Sequence, residues 1–252
     1  MVNCYGFNRG GNAMIKAVVF DVDDTLYDQR APFVAALKSL MPTVDADINQ
    51  LFQAYRCQSA SVYAKVAAGH WSHEEMAVKR LNHALHQQGL APVSTETAVD
   101  FERAYATGLQ RIQLFPGLPT ALDQLKDQFQ LGIITNGKTQ HQLDKVMQLQ
   151  MHRWIDREAI ITSEEVGLAK PDPQIFTLMN HRLNLRASEV AYVGDCYGMD
   201  VKGAKQAGWH AFWFNHRNLE TPDGDWIPDQ TVGDSLELQD LLLALTAVAE
   251  CS

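Results

Sequence analysis

Apolar segments of strand length alternate with helix-like segments along the second half of the chain, and this alternation constrains the fold most strongly. Strands that alternate with helices in this way form a parallel sheet with helices packed on both faces. We therefore predict an α/β fold with a parallel sheet between two helical layers. The predicted strands are residues 16–20, Leu131–Thr135, Ala159–Thr162, Val190–Val193 and Ala211–Phe214, and the predicted helices are Leu118–Phe129, Thr139–Gln150, Pro173–Leu183, Met199–Ala207 and Ser235–Glu250.

A helical insertion of roughly 85 residues interrupts this pattern directly after the first strand. Phe33, Leu37 and Leu40 recur at helical spacing. Ser72–Glu75 predicts a capping box that opens a later helix, and Ser94 predicts the start of another. We expect this insertion to fold as a helical bundle.

The insertion divides the chain into two predicted domains. A core domain would contain residues 14–29 and 115–252, and a helical domain would contain residues 30–114, with hinges near Asp28 and Pro116. Residues 1–13 are rich in Gly and Asn and lack periodicity, so we predict a flexible leader. Met14 is a candidate for the natural start.

Composition and charge exclude several classes of protein. Hydrophobic residues make up 46% of the 252 residues, 20% are charged and the formal net charge is −9. An acidic chain without a basic patch repels nucleic acid polymers, so we expect no such partner. No apolar run near the N-terminus approaches the roughly 20 residues of a membrane span. Four scattered cysteines indicate reduced thiols, and we expect a cytoplasmic protein, monomeric by default with a dimer left open.

Polar side chains follow four of the five predicted strands. In an open parallel sheet, ligands bind beyond the carboxyl ends of the strands. We therefore expect these side chains to meet at one edge of the sheet. They are Asp21 and Asp23 after the first strand, Thr135, Asn136 and Gly137 after the second, Lys170 beyond the third, and Asp195 and Asp200 after the fourth.

Carboxylates gathered at one edge require positive charge. Two carboxylates about 4 Å apart repel each other by roughly 4 kcal/mol at an effective dielectric constant near 20. Oxygen ligands without clustered His or Cys favour Mg²⁺. Lys170, the Thr135 hydroxyl and the amides of the Gly137 turn suit a phosphoryl group. The sequence therefore predicts a Mg²⁺ site that binds a phosphorylated ligand.

Four segments resemble, in order, the motifs of the haloacid dehalogenase-like hydrolase superfamily. The segments are Phe20–Leu26 (FDVDDTL), Ile134–Gly137 (ITNG), Lys170–Pro173 (KPDP) and Val193–Asp200 (VGDCYGMD). The resemblance implies a Rossmann-like core, and the insertion resembles the superfamily's α-helical cap. Within the superfamily, the chain looks most like bacterial pyrimidine 5′-nucleotidases and small-metabolite phosphatases.

The resemblance also implies roles for the acidic residues. Asp21 would attack phosphorus and become an aspartyl-phosphate, and Asp23 would act as general acid and then as general base. The side chains of Asp21 and Asp195 and the main-chain carbonyl of Asp23 would hold Mg²⁺. Asp200 would support the metal directly or through another ligand.

The other motif residues would bind the phosphoryl group of the substrate. The resemblance assigns this role to Thr135, the amide of Asn136 and Lys170, and the turn at Gly137 would add backbone amides. Together these residues imply a Mg²⁺-dependent phosphatase that acts on a small phosphorylated metabolite, with a nucleotide as the first candidate.

Three alternative functions stay open at this stage. A 2-haloacid dehalogenase would use Asp21 to displace halide from carbon, but the resemblance implies that this branch lacks the second aspartate, Asp23. A phosphomutase would share the core and differ in how the cap shields the aspartyl-phosphate from water. A catalytically silent protein that binds a phosphorylated ligand would be expected to lack the nucleophile or a metal ligand, and neither is missing.

Several residues also have structural interpretations. Asp200 could be the N-cap of the following helix, and Lys170 could be a solvated loop residue. His83 and His86 are better explained as a polar helix face than as metal ligands, and Cys196 as a packed residue. Substrate specificity should reside in the insertion, where each candidate is equally well explained as helix surface or packing. The candidates are Tyr55, Arg56, Tyr63, Lys65 and Tyr105.

Overall fold

A parallel sheet is the centre of the first of two compact units in the computed structural model, which describes residues 14–57, 65–66 and 69–249. We call them the sheet unit, containing the described residues up to Asp28 and from Gln113 onward, and the helical unit, Gln29–Ile112. The strands are β1 (Ala17–Phe20), β2 (Gln130–Thr135), β3 (Ile160–Thr162), β4 (Val190–Gly194), β5 (His210–Phe214) and β6 (Gln230–Val232). They lie in the order β3-β2-β1-β4-β5-β6, and all neighbours are parallel.

Strand β1 lies in the middle of the sheet because all four of its residues are apolar and buried, as a strand covered on both faces requires. Ala17 lies opposite Gln130 of β2 on one side and Val190 of β4 on the other. The chain winds in one direction from β1 to β3 and in the other from β4 to β6. A crevice therefore opens beyond the carboxyl ends of β1 and β4.

The sheet has one more strand than the sequence predicts. Strand β6 has only three residues, with the sequence QTV, and only Val232 is buried. It lies at the edge of the sheet, where a strand needs no continuous apolar run. The hydrophobic pattern that identifies central strands is therefore absent from it.

Six helices of the sheet unit accompany the strands. They are α5 (Leu118–Leu125), α6 (Thr139–Gln148), α7 (Ser163–Val166), α8 (Pro173–Leu183), α9 (Lys202–Gln206) and α10 (Ser235–Ala249). Two predicted bounds are wrong by more than two residues. Helix α5 ends at Leu125, four residues before Phe129, and the predicted helix from Met199 is a π-helical turn, Tyr197–Val201, that leads into α9.

The helical unit contains four helices with bounds inside the described residues. They are α1 (Arg30–Leu40), α2 (Ile48–Cys57), α3 (His73–Gln87) and α4 (Thr95–Leu109). The predicted capping box is confirmed, because the Ser72 hydroxyl accepts from the Glu75 N–H and the Glu75 carboxylate accepts from the Ser72 N–H. Ser94 is the N-cap of α4 and accepts from the Thr97 N–H.

Aromatic rings fill the interior of the helical unit. The ring centres of Phe33 and Tyr55 lie 5.0 Å apart, and those of Tyr55 and Tyr105 lie 5.6 Å apart. Both tyrosines are buried in this cluster, so packing accounts for them better than contact with a substrate. Lys65 is exposed, Arg56 stacks on Phe52, and Tyr63 lies outside the described residues.

The chain leaves the sheet unit at Asp28 and returns to it at Gln113, and the predicted hinges lie near Asp28 and Pro116. The Phe115 N–H donates to the Leu26 carbonyl at 2.9 Å, which holds the two crossing segments of the sheet unit together. The predicted leader, residues 1–13, lies outside the described residues. Among the described helices, none combines the length and the apolar character needed to cross a membrane. Cytoplasmic location and oligomeric state stay predictions.

Candidate active site

Three carboxylates from two segments of the chain meet at the crevice beyond β1 and β4. One side-chain oxygen from each of Asp21, Asp195 and Asp200 lies within 4.8 Å of the other two. Lys170, from the loop after α7, reaches into this group, which we call the acidic cluster. Its ammonium lies 2.6 Å from Asp21 Oδ1 and 2.7 Å from Asp200 Oδ1. The structure therefore brings together residues that lie up to 179 positions apart in the chain.

The ammonium of Lys170 has a third partner, Tyr192, inside strand β4. Lys170 Nζ donates to the Tyr192 hydroxyl at 2.9 Å, and that hydroxyl donates to the Ile134 carbonyl at 2.8 Å. Asp21, Asp200 and Tyr192 thus account for the three N–H bonds of the ammonium. Lys170 is therefore a fixed, buried counter-charge, and the alternative of a solvated loop lysine is wrong.

Asp195 and Asp200 are held by the backbone at the end of β4. The Asp195 N–H donates to Thr25 Oγ1 at 3.0 Å, which ties β4 to the loop after β1. The Asp200 carboxylate accepts from the Cys196 N–H at 2.9 Å. A Cβ on Gly194 would lie 2.4 Å from Asp200 Cγ, so only glycine leaves room for this carboxylate.

The position of Asp200 decides between its two interpretations. Its carboxylate faces back to Cys196 and across to Lys170, and it lies within the π-helical turn rather than ahead of a regular helix. Helix α9 has Val201 as its N-cap, without a side-chain hydrogen bond. The N-cap interpretation of Asp200 is therefore wrong, and the residue belongs to the acidic cluster.

Burial dominates the electrostatics of the proposed nucleophile. Desolvation raises the pKa of Asp21 to about 6, although the Lys170 ammonium lowers it and Asp200 raises it further. The pKa of Lys170 lies well above its ordinary value, because Asp200 and Asp21 outweigh the opposing effect of burial. The cluster contains three carboxylates and one ammonium, so ionised carboxylates would leave two negative charges uncompensated.

Asp23 lies outside the acidic cluster and has its own set of donors. Lys145 Nζ lies 2.6 Å from Asp23 Oδ1 and 2.8 Å from Oδ2. The Tyr27 hydroxyl donates to Oδ1 at 2.5 Å, and Gln142 Nε2 donates to Oδ2 at 3.0 Å. Burial alone would raise the pKa of Asp23, but the charge of Lys145 and these hydrogen bonds hold it well below its ordinary value.

The turn after β2 differs in part from its predicted role. Thr135 is buried, and its hydroxyl has no hydrogen-bond partner within the described residues, so it is available to a ligand. The Asn136 side chain is engaged with the backbone of Lys170, donating to its carbonyl and accepting from its N–H. We expected the Gly137 amide to be free for phosphate, but it donates to Ser163 Oγ at 2.9 Å, because Ser163, the first residue of α7, lies beside it.

Arg217 anchors the loop that carries Asp23. Its guanidinium donates to both carboxylate oxygens of Asp24, at 2.6 and 3.1 Å, and also to Asp28. Asp24 adopts a positive φ of 65°, which is uncommon outside glycine but tolerated by aspartate. The contacts of Arg217 therefore hold the turn directly after Asp23 in this uncommon backbone conformation.

Several of these residues were not identified from the sequence, among them Lys145, Gln142, Tyr27, Tyr192 and Thr25. Lys145 and Gln142 resemble ordinary polar positions of an amphipathic helix, and Tyr192 resembles a core residue of β4. What they share in the sequence is a polar group that lies within a motif or on an element next to one. The spacing of Gln142 and Lys145, three residues apart on α6, puts both on one helix face.

The donor set of the acidic cluster fits a magnesium ion. It consists of carboxylate oxygens, and no His or Cys belongs to this group among the described residues. Mg²⁺ prefers oxygen ligands and keeps several waters, so a few carboxylates suffice. His83 and His86 are not part of any such group in the described part of the chain. Cys196 is partly buried, and desolvation raises the pKa of its thiol to about 11.

Comparison with known protein families agrees with this architecture. The profile of the haloacid dehalogenase-like hydrolases matches residues 15–208. The chain belongs to this family. The match includes all four motifs, and it spans the helical insertion as well as most of the sheet unit.

Relatives of the chain are named as phosphatases. A glyceraldehyde 3-phosphate phosphatase of Methanopyrus kandleri is 28% identical over 92% of this chain and 99% of its own length. The pyrimidine 5′-nucleotidase YjjG of Escherichia coli is 34% identical, over 50% of this chain and 56% of its own length. The predicted similarity to nucleotidases is thus confirmed, alongside relatives with other phosphorylated substrates.

Solved structures of the family share the fold. The HAD-hydrolase YfnB of Bacillus subtilis, in a structure with bound magnesium, is 24% identical, with a TM-score of 0.65 and coverage of 91% of this chain and 99% of that one. A 2-haloacid dehalogenase of Pseudomonas syringae is 28% identical, with a TM-score of 0.56 and coverage of 92% and 99%. Dehalogenases and magnesium-binding hydrolases are therefore both among the structural neighbours.

Proposed function

We propose that this protein is a Mg²⁺-dependent phosphomonoester hydrolase that acts on a small phosphorylated metabolite. The observation that carries the proposal is the acidic cluster, in which Asp21, Asp195 and Asp200 converge on buried Lys170. A cluster with excess negative charge destabilises a fold unless it binds something positive. Magnesium held by these carboxylates would compensate their charge and stabilise charge on the transferring phosphoryl group.

The chemistry divides into two displacements on phosphorus. In the first, a carboxylate oxygen of Asp21 bonds to phosphorus and the bond to the substrate oxygen breaks. The negative charge of the bound phosphoryl group would raise the pKa of Asp23 against the effect of Lys145, so that Asp23 gives a proton to the departing alkoxide. In the second, water attacks phosphorus, Asp23 takes the proton from that water, and the bond to Asp21 breaks. Inorganic phosphate leaves, and both aspartates return to their starting states.

The remaining residues would stabilise negative charge. The Thr135 hydroxyl, which has no hydrogen-bond partner in the described part of the chain, would donate to a phosphoryl oxygen. The backbone amide of Asn136 is a second candidate donor, whereas its side chain supports the Lys170 loop. Lys170 would neutralise charge through its fixed contacts with Asp21 and Asp200, because all three of its N–H bonds are used.

The dehalogenase alternative retains one specific observation in its favour, the 28% identical dehalogenase structure. Against it stands Asp23, whose carboxylate accepts four hydrogen bonds from three buried side chains. A dehalogenase releases halide and needs no acid for an alkoxide. Phosphoryl chemistry needs such an acid, and we therefore favour it over dehalogenation.

Release of phosphate from p-nitrophenyl phosphate tests the proposal. We expect turnover with Mg²⁺, loss of turnover in EDTA and its return when excess Mg²⁺ is added. Asp21→Asn should lower the rate by about 10⁴-fold or more, as removal of a nucleophile does. Asp127→Asn, the same change at an exposed site, is the matched control. Undiminished release from Asp21→Asn would exclude Asp21 as the nucleophile.

A substrate panel would then distinguish the alternatives. It would include glyceraldehyde 3-phosphate, phosphoserine, pyrimidine nucleotides and sugar phosphates, ranked by kcat/KM, with 2-chloropropionate as the dehalogenase substrate. We expect inorganic phosphate as the product. An isomeric sugar phosphate would indicate a phosphomutase, and preferred release of chloride would contradict the proposal.

A further inference from the structure

The donors around Asp23 form a second buried site beside the acidic cluster. Both carboxylate oxygens are occupied: Oδ1 accepts from Lys145 and Tyr27, and Oδ2 accepts from Lys145 and Gln142. A carboxylate bonded through both oxygens to three side chains cannot rotate without breaking several contacts. The arrangement therefore fixes one orientation of Asp23.

Two of the three donors to Asp23 lie on helix α6, which begins just after the turn at Thr135–Gly137. Gln142 and Lys145 lie one turn apart on helix α6, and both are nearly inaccessible to solvent. Gln142 Nε2 also donates to the Asn136 carbonyl at 3.1 Å. A Cβ on Gly137 would lie only 2.7 Å from Gln142 Nε2, and φ of Gly137 is +143°, so glycine leaves the space that this amide needs.

A buried lysine is costly unless its charge is paired. The contacts of the Lys145 ammonium within the described residues are with the two oxygens of Asp23, so its charge serves this one carboxylate. We infer that Lys145 is a positioning residue that, together with Gln142 and Tyr27, aims the Asp23 carboxylate at the leaving group and keeps it out of the acidic cluster. This inference rests on the proposed phosphatase function.

The dependence of the rate on the leaving group separates positioning from simple stabilisation. An alkyl phosphate needs a proton on its departing oxygen, whereas 2,4-dinitrophenolate departs without one. The value of kcat/KM reports the steps up to the first displacement. A misdirected Asp23 therefore slows alkyl phosphates selectively, whereas damage to the fold slows both kinds of substrate equally.

The experiment compares wild type with Lys145→Met on glycerol phosphate and on 2,4-dinitrophenyl phosphate. We expect kcat/KM to fall by about 10²-fold for the alkyl ester and to stay within about threefold for the aryl ester. Lys126→Met is the matched control, because it removes a lysine from an exposed Lys–Asp pair with a separation of 3.4 Å. It should leave both values unchanged. Thermal unfolding shows whether each variant is folded at the assay temperature.

Tyr27→Phe is the second variant, because it removes one hydroxyl from a buried ring and keeps the packing. It should show the same selectivity with a smaller loss, and Lys145→Arg should recover part of the alkyl activity. Equal losses of kcat/KM on both esters, or unchanged turnover of the alkyl ester by folded Lys145→Met, would overturn the inference. In either case the activity of the wild type would still support the proposed function. A wild type that hydrolyses neither ester would overturn both.

Discussion

Lys170 in the sheet unit and Arg80 in the helical unit are buried cations with similar partners and different surroundings. Arg80 pairs with Glu102 at 3.1 Å and stacks on Tyr55, whose hydroxyl donates to the same glutamate at 2.5 Å. Lys170 pairs with Asp21 and Asp200 and bonds to Tyr192. Among the contacts given by the described residues, the first network pairs its cation with one carboxylate, Glu102, whereas the second joins its cation to a cluster of three carboxylates.

The difference is the one expected if the second network serves the proposed chemistry and the first serves stability. A buried one-to-one pair compensates its own charge and needs no ligand. Three carboxylates around one ammonium repel one another, and the fold tolerates them because they lie at the open edge of the sheet, where a cation and a phosphoryl group can bind. The Thr135 hydroxyl, which lacks a partner in the described residues, lies at the end of the neighbouring strand β2.

Replacing each cation tests this contrast most strongly. Lys170→Met should lower kcat by about 10³-fold, because it removes a fixed charge that stabilises the reacting groups. Arg80→Met should leave turnover of p-nitrophenyl phosphate within about threefold if it stays folded, although breaking a buried pair can cost about 3–5 kcal/mol of stability. Rates would be measured well below the unfolding midpoint of each variant. If Arg80→Met lost as much activity as Lys170→Met, the proposed distinction between a catalytic and a structural network would be wrong.

Asp23→Asn separates the catalytic acid from the acidic cluster. The substitution keeps the size of the side chain and removes its proton transfer, so kcat should fall by at least about 10²-fold. The concentration of Mg²⁺ needed for half-maximal activity should not change, because the side chain of Asp23 lies outside the cluster. Near-full turnover, or a large shift in the requirement for Mg²⁺, would contradict the assigned role.

Thr135→Val should reduce activity without reducing stability. The Thr135 hydroxyl is buried without a partner among the described residues, and removing such a group is neutral or stabilising. We expect kcat/KM to fall by about tenfold while the unfolding temperature stays equal or rises. Thr162→Val is a useful comparison, because that hydroxyl has a partner in Thr139. A lower unfolding temperature for Thr135→Val would show that its hydroxyl has a structural role.

Tyr55→Phe should produce the smallest effect, confined to stability. It removes the hydroxyl that bonds to Glu102 in the helical unit, at a cost of about 1 kcal/mol. Chemical denaturation would measure this loss, and turnover of p-nitrophenyl phosphate should stay unchanged. A clear rise in KM would return Tyr55 to the candidates for substrate contact.

The sequence predicts the central strands and the motif residues that follow them, because both depend on local pattern. An apolar run such as AVVF predicts a central strand. The polar residue that follows the run is then expected at the carboxyl edge of the sheet. Strand β6 could not be predicted in this way, because its three residues at the edge of the sheet contain no apolar run. The π-helical turn before α9 has the composition of an ordinary helix start.

Contacts of single side chains depend on tertiary placement and could not be predicted. The pairing of Lys145 with Asp23 depends on the rotation of α6 about its own axis and on its distance from β1. Tyr192 looks like a hydrophobic core residue in the sequence, because its ring packs in the core and only its hydroxyl contacts Lys170. The Gly137 amide is not free for phosphate because it donates a hydrogen bond to Ser163, 26 residues away.

The most direct test of the central claim is to trap the covalent intermediate. The enzyme with Mg²⁺ would be mixed with a substrate that carries ³²P in its phosphoryl group, quenched in acid within one turnover, digested and mapped by peptide. The account predicts acid-stable label on the peptide that contains Asp21, and none in Asp21→Asn. Label on another residue, or turnover without any labelled peptide, would contradict it.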